Sequence, residues 1–202
     1  MPVKNNREYR IAQPFTARAL GEEEKSYIVE GYACTFDDPY VLWEYDGIEY
    51  KEQIDRNAFD ECDMSDVIFQ YDHMGMVYAR NKNGTLKLEI DDHGLKVIAD
   101  LGSTEESRKI YEAIDAGLVT EMSFAFTVVA DAYDNKEHLR TIQKIGKLYD
   151  VSAVSIPANP GTDIHARSFF EGVIEEERRE SARAKEMELR KRKILLMMEV
   201  EE

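Results

Sequence analysis

Glu121-Met122-Ser123-Phe124-Ala125-Phe126-Thr127 alternates strictly between bulky and small side chains. Successive residues of a strand point to opposite faces, so Met122, Phe124 and Phe126 share one face and Ser123, Ala125 and Thr127 the other. The bulky face packs inward. The small face leaves one hydroxyl with room for a peptide backbone beside it. A helix would scatter these residues around its circumference, so the segment reads as a strand.

The surrounding chain follows the same period. Leu86-Lys87-Leu88-Glu89-Ile90 and Leu95-Lys96-Val97-Ile98-Ala99 flank Asp91-Asp92-His93-Gly94, which is a hairpin with turn-forming residues between its arms. Further strand patterns run over Ser26–Phe36, Tyr40–Tyr50, Val67–Tyr71, Met122–Val129, His138–Ile145 and Leu148–Ile156. Short strands separated by turn signals predict a closed barrel or a sandwich. One core-packing helix interrupts them. Ser103 and Glu106 have capping-box spacing, Gly117 suits a left-handed end, and Ile110, Ile114 and Leu118 share a face.

After Pro157-Ala158-Asn159-Pro160-Gly161 the strand pattern stops, and from about Phe170 the chain reads as a charged helix of roughly 45 Å. Met187, Ile194 and Met198 give it a weak apolar seam, short of a coiled coil. No internal repeat is visible. The predicted organisation is an N-terminal extension over 1–25, a β domain over 26–168 and a helical tail over 169–202.

The 202 residues carry a formal net charge of −15. Residues 171–202 hold ten acidic and eight basic side chains, a net of −2, which leaves −13 on residues 1–170. A domain this acidic repels phosphates, so nucleic acid is not an expected partner. No apolar run approaches the roughly 20 residues a membrane helix needs, and MPVKNNREYR lacks the apolar stretch of a secretory signal. Cys34 and Cys62 stand far apart without metal-type spacing and read as reduced thiols of a cytosolic protein.

Three residues could do chemistry together. His73, just after an apolar strand in Gln70-Tyr71-Asp72-His73, is the residue type that takes a proton from a serine hydroxyl near neutral pH. Asp150 enters the apolar run Val151–Pro157, and a carboxylate there needs a partner, whether imidazole, arginine or backbone amide. Such a set is defined by geometry rather than chain order, so His73, Ser123 and Asp150 are a permitted nucleophilic triad. Spacing alone does not show that they meet. A metal hydrolase competes, since Asp72-His73 and Asp91-Asp92-His93 offer ligands, but neither has zinc-motif spacing. Neither a GxSxG elbow, a phosphate loop nor a dinucleotide fingerprint is present, and no cofactor is expected.

The order of these pieces resembles the HK97-type phage prohead proteases from about Ser26 to Ser168. The pieces are Glu30-Gly31-Tyr32-Ala33, Asn57-Ala58-Phe59, Tyr71-Asp72-His73 with Ala79-Arg80, Gly94-Leu95, Met122-Ser123-Phe124-Ala125-Phe126, Leu148-Tyr149-Asp150-Val151-Ser152 and Ile156-Pro157-Ala158-Asn159-Pro160. The resemblance implies a closed β-barrel of the herpesvirus-protease type with helices, hence a mainly β α+β fold. It implies Ser123 as nucleophile and His73 as base, with Asp150 or a second histidine (His93, His138 or His165) as the third member. Arg80 matches an arginine that would support the oxyanion site. Many relatives carry Asn where this chain has Asp72. The implied function is a serine endopeptidase acting inside the assembling prohead, in the host bacterial cytoplasm. Its implied substrates are the scaffolding region of the major capsid protein and further copies of itself, with homo-oligomers expected. Two alternatives stand beside it: a catalytically silent assembly protein that keeps the barrel, and a metal-dependent peptidase.

Overall fold

The computed structural model of the chain describes residues 7–14, 16–18, 27–155 and 164–200. Eleven strands and two α-helices follow in the order β1 (Glu8–Pro14), β2 (Thr16–Arg18), β3 (Ile28–Thr35), β4 (Tyr40–Tyr45), β5 (Ile48–Ile54), β6 (Ile68–Tyr71), β7 (Met74–Arg80), β8 (Leu86–Ile90), β9 (Gly94–Asp100), α1 (Glu105–Asp115), β10 (Glu121–Asp134), β11 (Leu139–Val154) and α2 (Ile164–Val200). The fold is mainly β with helices, as the alternation implies.

β11 organises the larger, seven-stranded sheet. It pairs antiparallel with β10 along one side. Its other side pairs in parallel first with β5, at Leu139–Ile142, and then with β6, at Asp150–Ala153. β1 adds to the free side of β10, β4 to β5, and β7 to β6. A second sheet of four strands runs β2-β3-β9-β8. Among the described residues the ladders thus form two sheets rather than the single closed ring expected. Two features draw the sheets together: β1 and β2 are consecutive in the chain but belong to different sheets, and Phe36 bridges to Ile54.

Met122, Phe124 and Phe126 are wholly buried, as their alternation predicts, and meet Phe69, Leu95, Val97, Leu148 and Val151 in one core. Each such side chain contributes about 1.5–3 kcal/mol by leaving water. α1 caps this core. Its cap is Thr104, whose side chain accepts from Ser107 N, one residue beyond the expected Ser103. Its inner face is Ser107, Tyr111 and Ile114, whereas Leu118 is 75% exposed, because the helix ends at Asp115 and Gly117 turns left-handed before the stripe can continue.

Several strand expectations shift. Tyr40–Tyr50 is a hairpin, broken at Asp46-Gly47, both of positive φ. The two segments read on either side of Gly146 are one strand. A side chain at 146 would meet Val129 Cγ2 at 2.7 Å, so glycine lets β11 run on past β10 through the bulged stretch of their ladder. β1, β2 and β7 lie outside the predicted strands, the first two ahead of the boundary drawn at residue 26.

The reason for missing β1 is chemical. Glu8 and Arg10 point into the protein, with 7% and 2% exposure. Arg10 binds Glu52 through Nε at 2.5 Å and Nη2 at 2.9 Å and also contacts Glu8. Arg140 joins Glu8 at 2.8 Å, Glu52 at 3.0 Å and Asp131 at 2.6 Å, and Tyr40 donates to Glu52 at 2.6 Å. Charges are tolerated inside because each is paired.

In α2, Phe170 and Ile174 pack on Leu42 and Tyr50 of the larger sheet. Arg178 donates to Tyr45 at 2.6 Å. Beyond it, residues 179–193 are exposed throughout. No helix among the described residues is long and apolar enough to cross a membrane.

Candidate active site

The three chemically competent residues come from three neighbouring strands. Ser123 lies on β10 and faces Ser152 of β11, while Asp150 faces Ala125. All four share the face opposite Met122 and Phe124, since cross-strand partners point the same way. β6 lies beyond β11, with Ile68 beside Asp150 and Gln70 beside Ser152. The β6–β7 hairpin then turns at Asp72-His73 and swings the imidazole over the sheet.

That turn is tight. Asp72 has φ +48° and His73 φ +56°, the left-handed values that a hairpin of two central residues needs. Asp tolerates this conformation better than most residues. Its backbone N–H donates to Ala153 O at 2.9 Å, and its carboxylate accepts from Ser155 N and Oγ, each at 3.0 Å. The turn is therefore tied to β11, the strand that carries Asp150.

The result is a continuous chain of contacts. Asp150 Oδ1 lies 2.5 Å from His73 Nδ1, and His73 Nε2 lies 2.6 Å from Ser123 Oγ. A carboxylate can only accept, so Nδ1 carries the hydrogen and Nε2 is left to accept from the serine hydroxyl. Ser123 and Asp150 are 1% and 4% exposed, and the His73 side chain 16%. Tyr9 of β1 meets the imidazole edge-on, with ring centroids 4.7 Å apart. Dry surroundings strengthen every interaction along this line.

The other candidates lie elsewhere. The Arg80 guanidinium makes two bonds of 2.6 Å to Asp66, and its backbone N–H donates to Thr85. The forked donor expected to support the oxyanion site is thus engaged with the Asp66 carboxylate. His93 stacks edge-on against Tyr32 at the far hairpin. His138 contacts Tyr133 at 3.2 Å and Glu177 at 3.4 Å, beside α2. The His165 side chain lies outside the described residues. Among the described residues no group of three or more His, Cys, Asp or Glu side chains gathers to hold a metal.

Sequence reading gave no role to Ser152 or Tyr9, and took Asp72 only as a possible metal ligand and a departure from the relatives. Ser152 was the findable one: it stands two residues after Asp150 on a strand, hence on the same face.

The sequence model of one family, described as caudovirus prohead serine protease, matches residues 13–174. A comparison with solved structures finds the bacteriophage T4 capsid assembly protease at 12% identity and a TM-score of 0.44, covering 76% of this chain and 100% of that one. No curated protein matches the chain.

Proposed function

The chain belongs to the caudovirus prohead serine protease family, the proteases of phage capsid maturation, and from that premise we propose that Ser123, His73 and Asp150 are its catalytic triad. The observation that carries this reading is the unbroken line Asp150–His73–Ser123, with contacts of 2.5 and 2.6 Å. Ser123 Oγ attacks a peptide carbonyl as His73 Nε2 takes its proton, forming a tetrahedral intermediate. His73 then returns that proton to the leaving amine, and the acyl-enzyme is hydrolysed by the same steps with water as nucleophile. Asp150 holds the imidazole in the required tautomer and stabilises its cationic form. Backbone amides take the oxyanion, a contribution of about 3 kcal/mol per donor; Arg80 is spoken for by Asp66.

The proposed substrates are the scaffolding region of the major capsid protein and copies of the protease itself, cut inside the assembling prohead in the host cell. The proposed barrel is of the herpesvirus-protease type, closed where β1 passes into β2. The exposed part of α2 is the proposed scaffold-binding element, since a solvated, charge-laced helix suits pairing with scaffold helices and would raise the local enzyme concentration.

The test is co-expression with the capsid protein, wild type beside Ser123→Ala, read by mass spectrometry of the fragments. Wild type is expected to release capsid fragments and to shorten itself. Ser123→Ala is expected to do neither while keeping its fold. Continued trimming by Ser123→Ala would refute the assignment.

A further inference from the structure

Ser152 is wholly buried and faces the nucleophile across the β10–β11 ladder. Its Oγ donates to Asp150 Oδ1 at 2.8 Å, the same oxygen that meets His73 Nδ1 at 2.5 Å. That coincidence has a mechanical consequence. The last torsion of an aspartate is broad, so a carboxylate held by one donor can rotate and present either oxygen. His73 sits at a hairpin tip, outside the β6–β7 ladder. Ser152 sits near the end of a long strand, but there the strand is paired on both sides, with β10 at Ser123 and with β6 at Gln70. A donor on so fixed a backbone sets the carboxylate angle independently of the histidine.

We propose that Ser152 is a positioning residue, whose hydroxyl locks the Asp150 carboxylate so that Oδ1 holds His73 in line with Ser123. The proposal rests on the triad reading above. It also gives Asp150 a second donor within a dry site, which tempers the charge felt by the imidazole. Among the described residues, the titratable groups that meet that imidazole are Asp150 from β11 and Tyr9 from β1.

Ser152→Ala leaves a smaller side chain in the same strand, and Ser152→Thr keeps the hydroxyl. Kinetics would use a peptide spanning a junction mapped in the wild-type digest. Ser152→Ala is expected to lower kcat about tenfold or more with KM nearly unchanged, as misplacement of a reacting group does. The acid limb of the kcat/KM profile should move up by a few tenths of a pH unit, because the imidazolium meets a less neutralised carboxylate. Ser152→Thr should recover most of the loss. Independently, in the Ser123→Ala background, which cannot digest itself, the downfield proton resonance of His73 Nδ1–H should shift when Ser152→Ala is added.

Unchanged kcat, acid limb and resonance, with Ser123→Ala inactive, would overturn the role of Ser152 alone. A fall in kcat with the acid limb and resonance unmoved would overturn it too, since lost packing suffices for that. Activity in Ser123→Ala would instead remove the triad reading, and this proposal with it.

Discussion

His73 reaches Ser123 because the residue before it accepts an unusual backbone. With Asp72 at φ +48°, an alanine there would lose both the tolerance for a left-handed conformation and the acceptors for Ser155. Asp72→Ala is expected to cost about 1–2 kcal/mol in urea denaturation. Asp72→Asn, which keeps the shape and one acceptor oxygen, should stay near wild type. Asp150→Asn should keep the fold but let the amide donate to the imidazole, favouring the wrong tautomer; a loss in kcat of about 10⁴-fold is expected from peptide turnover. The thiols offer a contrast. Burial pushes Cys34 up to about 12 and Cys62 up to about 11, so neither is a thiolate near neutral pH. Alkylating reagent at pH 7 should therefore label the native protein slowly and leave cleavage intact. Much of this scale was legible: the alternation around Ser123 put the hydroxyl on the right face before any fold was known. What no local pattern holds is the meeting of 73, 123 and 150, which depends on β6 pairing with β11 in parallel and on a turn that bends back over it.

Among the elements, β1 shows why periodicity fails in places. A reader of Glu8-Tyr9-Arg10 assigns the charged positions to solvent, yet the pattern is inverted, because Glu52 and Arg140 wait inside to pair with them. Removing one partner from such a group leaves the others buried and uncompensated. Arg10→Ala is expected to cost about 3–5 kcal/mol in chemical denaturation. The same network sets an acid limit. Burial alone would push Glu8 up, but Arg10 and Arg140 outweigh it and hold its carboxyl below the usual carboxylate range. A group with a depressed native pKa stabilises the fold at neutral pH, and that stability is lost as pH falls below the ordinary carboxylate value toward the native one. Glu8→Gln should flatten this part of the stability–pH curve while lowering the plateau at pH 7. β7 was missed for a different reason: Met74-Gly75-Met76 has weak strand propensity, and Met74 and Met76 are 73% and 53% exposed, so no inward stripe announces it. By contrast the 86–99 hairpin was read correctly from its turn residues. Gly94 does more there than end a turn, since a side chain at 94 would lie 1.9 Å from the Cys34 carbonyl oxygen. Gly94→Ala should force β9 away from β3, seen as a lower melting temperature.

The molecule as a whole divides where its helix stops touching the sheet. Phe170 and Ile174 belong to a packed cluster, whereas side chains 179–193 face water. At about 1.5 Å per residue, the 37 residues of α2 span about 55 Å, most of it beyond the body that anchors them. Truncation after residue 178 should leave the melting temperature nearly unchanged and reduce incorporation into purified proheads. Truncation after residue 169 should also destabilise the body, by baring Leu42 and Tyr50. Unaltered incorporation in the shorter truncation would remove the scaffold-binding role of the helix. The sequence anticipated the long charged helix from composition but not the docking of Phe170 and Ile174, because two buried apolar residues make too faint a stripe to see.

One arrangement bears on how any peptide could reach the hydroxyl. At Ser123 the strand is flanked on both sides, by Ile11 of β1 and by Ser152 of β11, so its main-chain groups are already engaged. A guest chain cannot zip onto that strand as an extra rung while β1 stays in place. It has to come down on the sheet from above, past the Tyr9 ring, or evict β1 and break the ion pairs to Glu52 and Arg140 that moor it. Access to the hydroxyl is thus governed by how β1 is held, not by the three reacting side chains alone.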